Sequence, residues 1–491
     1  MIFEASLCYG SFNVLHPGHF RYLEQARKYA NQLYVAVEGD RYFDEKGLEK
    51  QFSEAERAQS LAALEIVDRV ILLDSGGLLD LVQNHSPKCL VLGREFERER
   101  YSNVAESIDY LNSNGIKVVY EAGVAHYASL DLFRSSQTDL EEEKSNQFND
   151  ILQRHEINLF NLLDRISRLN PRILVIGDTI VDQYVVCDAI GMSAEAPVVV
   201  LRELETREYL GGAAIVASHL KALGADCYYL SVLGDDSNAD WVREKLDAHG
   251  INTHIIEDAK RPTTIKIRYM VENQKLFRVS RLREHSISKA IERVVFEHLE
   301  QLSPDLDGIV ISDFVYGVIS SSLLGVISEI AEKYQVPLFG DLQCSSQIGS
   351  VLKFKNFNLI CPTEREARIA LANQEDGVEW VANALMNQSG AENLIIKLGA
   401  EGFIAYGKNN DNGFRLRQHF PALTVNPLDV TGAGDSLLSA MAVSITSGGS
   451  FLEACSLGSC VASLAVQTVG NVPVSRERLE TFLKQMVGNQ T

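Results

Sequence analysis

The chain has 491 residues, 46% of them hydrophobic and 23% charged, a length that exceeds one ordinary core and predicts two or three domains. Its formal net charge of −20 argues against nucleic-acid or anionic-membrane partners, so anionic substrates must be held by local nests and a few placed cations. No apolar run reaches the ~18 residues that span a bilayer, no basic-then-apolar leader opens the chain, and eight scattered cysteines without a Cys-x-x-Cys pair suit reduced thiols in a cytoplasm.

Residues 6–10 read as a short first strand, followed by the run Ser11 to His19 and an amphipathic helix over 20–28. Apolar strands are expected at 33–37, 70–73, 89–93 and 116–120, with helices over 55–64 and 78–83 between them. This alternation predicts a doubly wound parallel sheet, whose ligand crevice lies at the carboxyl ends of the strands, where Gly10 to His19 would sit. His16 and His19 stand three apart at a helix entrance, and Gly18 leaves the backbone open to a phosphate. Two imidazoles there can donate to the α-phosphate of a nucleotide alongside free helix-start N–H groups. A sugar phosphate is already ionised near neutral pH, so such a site needs alignment and charge neutralisation rather than a general base.

The pattern Gly10-x-Phe12-x-x-x-His16-x-Gly18-His19 resembles the signature of the cytidylyltransferase-like nucleotidylyltransferases. The resemblance implies nucleotide contacts from Gly10, Phe12, Gly18 and both histidines. It extends to Glu54-Ala55-Glu56-Arg57, which implies Arg57 near the phosphates, and to Arg134, Ser135, Ser136 and Thr138 as a late nucleotide motif. Lys46 falls where relatives place a triphosphate-contacting lysine. Asn13 replaces the Asp of many relatives, and Gly93-Arg94-Glu95 replaces their Gly-Asp-rich segment.

Residues 141–165 read as a charged helical connector between domain 1–140 and domain 166–491. Residues 173–178 form an apolar strand ending in Gly-Asp, with Asp182 one turn on; 309–313 and 337–341 repeat this layout. Thr264 to Arg268 and Asn273 to Arg278 alternate as strands of a small lid. Near the C-terminus, Asp429-Val430-Thr431-Gly432-Ala433-Gly434-Asp435 precedes an apolar helix. The N–H groups of Gly432, Ala433 and Gly434 can point together at an anion, with Asp435 beside them to take a hydroxyl proton.

That last run resembles the anion hole and catalytic base of the ribokinase-like (PfkB) sugar kinases, and Gly211-Gly212-Ala213-Ala214 resembles their sugar-side glycine motif. The resemblance implies Asp435 as base and Thr431, Gly432, Ala433 and Gly434 as phosphate contacts. It further implies Asp182, Gly211, Gly212, Lys266, Arg268 and Arg278 on the sugar. Glu366, in Cys361-Pro362-Thr363-Glu364-Arg365-Glu366, would organise Mg²⁺ through water, and Lys397, Gly399 and Gly402 would flank the nucleotide. The lid implies a homodimer contact.

Together the two halves resemble the bifunctional heptose kinase/adenylyltransferases of ADP-heptose synthesis (the HldE type), with domain order reversed. The run Ser193-Ala194-Glu195-Ala196-Pro197-Val198 is similar to one in their heptose-7-phosphate kinases. ATP, Mg²⁺ and a sugar or sugar phosphate are the implied ligands, with CTP as the alternative nucleotide of the first domain. A CDP-sugar or CDP-polyol enzyme and a regulatory protein with a decayed kinase half stay open as alternatives. Three positions depart from the heptose kinases: Ile215 replaces a sugar-binding Asn, and Tyr316 and Gln343 replace Lys. Arg281 and Arg283 are candidates to compensate.

Overall fold

The computed structural model describes residues 2–13, 15, 17–41, 43, 50–73, 77–93, 96, 102–120, 137–272, 274–344, 349–409 and 415–488. The chain divides into two units, Met1–Ser136 with Asn373–Asn383 and Gln137–Ala372 with Ala384–Thr491.

In the first unit β1 (Ile2–Gly10), β2 (Gln32–Glu38), β3 (Arg69–Leu73), β4 (Ser86–Leu92) and β5 (Lys117–Tyr120) form one sheet in the order β3-β2-β1-β4-β5. Every neighbouring pair is parallel. Side chains alternate across a strand, so Leu7 and Tyr9 of β1 join one apolar cluster while Cys8 joins another. Both faces are thereby covered, as a parallel sheet requires. The order reverses between β1 and β4, which puts the crevice at the end of β1, beside residues 10–13. Helix Pro17–Arg27 starts there, its proline at a position where no amide N–H is needed.

The second unit contributes β6 (Arg172–Gly177), β7 (Thr179–Met192), β8 (Val199–Gly212), β9 (Asp226–Leu233), β10 (Asn252–Glu257), β11 (Thr264–Val271) and β12 (Gln274–Arg281). It continues with β13 (Gly308–Asp313), β14 (Leu338–Leu342), β15 (Leu359–Ile360), β16 (Asn393–Lys397), β17 (Phe403–Asn409) and β18 (Arg415–Phe420). The main sheet runs β10-β9-β6-β13-β14-β15-β16-β17-β18, parallel through β16 and antiparallel at its last two strands. A separate four-stranded sheet, β12-β11-β7-β8, forms the lid. This is the expected α/β architecture, including the small β lid.

The strand order reverses between β6 and β13, so Asp178 and Asp313 flank the crevice, with Asp341 and Lys397 at the same edge on β14 and β16. Helix Ala433–Thr446 is buried from Asp435 to Ser444, which locks its N-terminus against that edge. The segment read as a charged connector is helical, as Gln137–Arg154 and Leu159–Leu169. Its Phe148, Ile151, Leu162, Leu163 and Ile166 pack into the core of the second unit. All eight cysteines are free, and seven are buried.

Candidate active sites

Gly432 caps helix Ala433–Thr446 with φ 81°, a conformation that strains any residue bearing a Cβ. A Cβ there would also collide with Oδ1 of Asn471. The first helical turn leaves N–H groups without intrahelical acceptors and directs the positive end of the helix dipole outward. Asp435 stands in that turn, 4% exposed. Burial first, and then the charge of Asp341, push its carboxyl up to about 7, against the pull of Lys397 and Lys266. Gln343 Nε2 donates to Asp435 Oδ1 at 3.0 Å. Lys397 Nζ bonds both oxygens of Asp341 at 2.8 Å. Burial disfavours that ammonium, but Asp341 and Glu366 outweigh it and raise its pKa. A Cβ on Gly434 would come within 3.1 Å of Lys397 Nζ, so the ammonium abuts the anion-binding turn itself.

On the sugar side Asp182 of β7 is 3% exposed, and both its oxygens have protein donors. Arg268 of β11 pairs with Oδ1, and Asn471 Nδ2 donates to Oδ2 at 2.7 Å. Gly211 is required at this point because a Cβ would collide with the Asp182 carboxylate. At Gly212, φ is 59° and a Cβ would collide with Asp178 O. Asn471 thus touches Asp182 while standing against Gly432, joining the two glycine motifs. Its Oδ1 is buried and has no hydrogen-bond partner. Lys266 is 4% exposed, its Nζ 4.7 Å from the Phe314 ring and 5.3 Å from the Tyr316 ring. Arg278 lies across from Arg268 in the register and is exposed, as is Arg281. Arg283 lines a small cleft with Asp178, Arg261, Thr264 and Tyr316. The Asp178 carboxylate accepts from the N–H groups of Phe314, Tyr316 and Val318 at 2.9, 3.1 and 3.2 Å. It shapes a loop in which Val315 holds φ 62°, a strained value for a β-branched residue. Ile215, where an Asn was missed in the sequence, is fully buried in helix Ala213–Leu223.

Glu366 is the third residue of helix Glu364–Leu371 and closes a capping box with Thr363, which explains a threonine at that position. Its oxygens accept from Thr363 N at 2.8 Å and Cys344 N at 3.1 Å. Among the described residues no cluster of three His, Cys, Asp or Glu could cage a metal ion. A lone carboxylate with lone pairs to spare fits Mg²⁺ that keeps its waters and rides on a triphosphate. Gly399 and Gly402 hold φ 62° and 88° around a 3₁₀ turn, and at Gly402 a Cβ would collide with Phe420 O. Thr431 donates its N–H and hydroxyl to Asp429 Oδ1 at 3.0 and 2.7 Å.

In the first unit Gly10 ends β1 and His19 lies in the first turns of helix Pro17–Arg27, partly exposed; Gly18 precedes it in the helix. Phe12, buried with φ 48°, packs its ring 5.1 Å from that of His19 and so fixes the imidazole at the crevice. Arg57 lies on helix Glu54–Ala62, beside the turn after β1. It is 2% exposed, its guanidinium bonded to Ser11 O, to Phe52 O at 3.3 Å and to Asp40 Oδ1 at 3.0 Å. With those acceptors engaged it braces the turn that follows β1. His16, Lys46, Arg134, Ser135 and Ser136 lie outside the described residues, as does the side chain of Thr138.

Residues 170–477 match the pfkB family of carbohydrate kinases. The chain belongs to that family. In this pfkB protein residues 7–122 match a second family, described as cytidylyltransferase-like, which precedes the kinase. A curated relative, "Bifunctional protein HldE" of Campylobacter jejuni, is 31% identical over 325 residues, or 65% of this chain and 66% of that protein. The chain therefore spans just under two thirds of the length of that relative. The fold of the pfkB part is shared with Escherichia coli phosphofructokinase-2, with TM-score 0.54, 17% identity, and coverage of 65% of this chain and 99% of that one. Ribokinase from Thermotoga maritima gives TM-score 0.50 at 21% identity, covering 64% and 99%. Asn471 and Lys275 escaped the sequence reading as site residues, and Gln343 entered it only as a replacement of Lys. The only hint of Asn471 is an amide in an otherwise apolar stretch, Val469-Gly470-Asn471-Val472.

Proposed function

We propose that this protein makes a nucleotide-activated sugar in two steps, one in each unit. The observation that carries the kinase step is the convergence at Asn471, which brings the anion-binding turn at Gly432 and the sugar-side pair Asp182 and Gly211 together around Asp435. Asp435 takes the proton of the anomeric hydroxyl as that oxygen bonds the γ-phosphorus of ATP, and the bond to ADP breaks with its electron pair. The Gly432, Ala433 and Gly434 amides and Lys397 hold the moving charge. Glu366 is the residue that would hold Mg²⁺ with the triphosphate, and the ion would supply further charge neutralisation there. In the first unit a sugar 1-phosphate oxygen attacks the α-phosphorus of a nucleoside triphosphate and pyrophosphate leaves. His19 and the start of helix Pro17–Arg27 neutralise that phosphate.

A heptose 7-phosphate-like acceptor and an ADP-heptose-like product are favoured, with a separate phosphatase hydrolysing the 7-phosphate between the two steps, because the runs at 193–198, 264–268 and 273–278 resemble those of heptose kinases. A second copy of the chain is expected on the lid, where Ile190, Met192, Val199, Leu204 and Phe277 are exposed apolar side chains. The deciding experiment is a panel of sugars and sugar phosphates incubated with ATP or CTP and read by mass spectrometry. Asp435→Asn abolishes the kinase product alone, a loss of about 10²–10⁴-fold, and His19→Ala the nucleotidyl product alone. If both substitutions leave both products unchanged, the site assignments are wrong. Activation by CTP in place of ATP selects the cytidylyl reading.

A further inference from the structure

β14 ends at Leu342, and the residue after it is held by its own backbone, the Gln343 N–H donating to Asp313 O at 2.9 Å. From that anchor the carboxamide nitrogen reaches Asp435 Oδ1 at 3.0 Å. The carboxylate it meets is 4% exposed, so the carboxamide N–H stands where water would otherwise have to donate.

We infer that Gln343 is the positioning residue of the kinase base: its N–H fixes Oδ1 of Asp435 and leaves the other oxygen for the acceptor hydroxyl. The inference rests on Asp435 acting as that base. An uncharged donor suits this position because it orients a carboxylate without neutralising it, whereas an ammonium in the same place favours the ionised, weakly basic form. The charge around Asp435 is otherwise set by Asp341 on β14, Lys397 on β16, Asp182 on β7 and Lys266 on β11. Lys397 is bound to Asp341 and Arg268 to Asp182, while Lys266 lies over the rings of Phe314 and Tyr316. Gln343 donates to the Asp435 carboxylate itself, whereas Ser439 Oγ bonds its backbone oxygen at 2.7 Å. The replacement of a lysine here is then a tuning of the base rather than only a weaker sugar site.

The test uses the full chain and Gln343→Ala, Gln343→Lys and Gln343→Glu. Kinase turnover with ATP and heptose 7-phosphate is measured across pH. In parallel, Asp435 is titrated without substrate by ¹³C NMR of carboxyl-labelled aspartate, its signal assigned with Asp435→Asn. Gln343→Ala lowers kcat about 10- to 100-fold with the KM for ATP held within about twofold. Gln343→Lys moves both the acid limb of kcat and the Asp435 titration down by about one pH unit or more, and Gln343→Glu moves them up. Wild-type turnover in Gln343→Ala, or an unmoved Asp435 titration in both charged variants, overturns the inference. A wild-type protein inert toward heptose 7-phosphate rejects the substrate reading by itself, and the NMR titration still decides the role of Gln343.

Discussion

Lys275 Nζ lies 2.8 Å from Asp429 Oδ1 and 3.1 Å from Thr431 Oγ1. The lysine belongs to lid strand β12, and its partners belong to the loop that leads into the anion-binding turn. Asp429 also accepts from the Tyr184 hydroxyl at 2.7 Å and from Gly470 N at 3.2 Å. Burial acts to raise the Asp429 carboxyl, but the bonds from Lys275, Tyr184 and Thr431 hold it well below the usual range. One carboxylate therefore ties the lid to the turn.

Lys275→Met removes that tie while keeping most of the side-chain volume. The KM values for sugar and ATP are expected to rise about 5- to 20-fold with a smaller change in kcat, because the loss is of pre-organisation. The lysine is partly exposed, so raising the salt should shrink the difference between variant and wild type. A carboxyl with a depressed folded pKa contributes stability above its unfolded value of 3.8 and loses it only as pH falls through the lower folded one. The difference in Tm should accordingly be constant between about pH 6 and pH 8, a result that thermal melts in parallel buffers check.

The kinase rate should follow the ionisation of Asp435. A base must be deprotonated to accept the hydroxyl proton, and this carboxyl is held up to about 7 by burial and by Asp341. The value of kcat is expected to rise tenfold per pH unit on the acid side and to level off above about pH 7. Initial-rate measurements with saturating ATP and sugar read this limb directly. A rate already flat from about pH 5 would contradict the assignment.

Asp435→Asn should stabilise the fold in alkaline buffer. For a carboxyl whose folded pKa is raised, folding favours the protonated form, so its contribution is fully present below the unfolded value of 3.8 and declines as pH rises toward about 7. Above that the wild type carries a buried negative charge next to Asp341. The amide removes it and should raise Tm by about 2 °C or more at about pH 8, with little change at about pH 5. Differential scanning calorimetry at the two pH values makes the comparison.

Asn471→Ala should weaken sugar binding more than nucleotide binding. The substitution takes the Nδ2 donor from Asp182, leaving that buried carboxylate with Arg268 alone. A rise of about tenfold in sugar KM, with the ATP KM within about twofold, is expected. Asn471→Asp should be worse, since it sets a second carboxylate against Asp182. Equal effects on both substrates would mean that the side chain supports the anion-binding turn and not the sugar side.

The parts of this site that could be read from the chain are the ones whose cause is local. Glycines at 211, 212, 399, 402 and 432 are demanded by left-handed backbone or by close approach, and an acidic residue in a helical first turn follows the dipole. Thr363 owes its place to a capping box with Glu366, a cause that is local to the helix. For Arg57, motif position places a residue on an element without saying which partners it meets. Only the fold brings Asp40 and the carbonyls of Ser11 and Phe52 around its guanidinium.

Short-range order in the amino acids was enough for the strand and helix sequence, for the glycine turns and for an acid in the first turn of helix Ala433–Thr446. Hydrophobic period and backbone sterics act over a few residues, and they leave a legible trace. The pairing of Asp182 with Asn471, 289 positions away, of Asp435 with Gln343, 92 away, and of Asp341 with Lys397, 56 away, came from the packed sheet and its buried helix. Hydrogen bonds and charges couple through space, in a low-dielectric interior that exists only once the chain has folded, so their partners have no signature along the backbone.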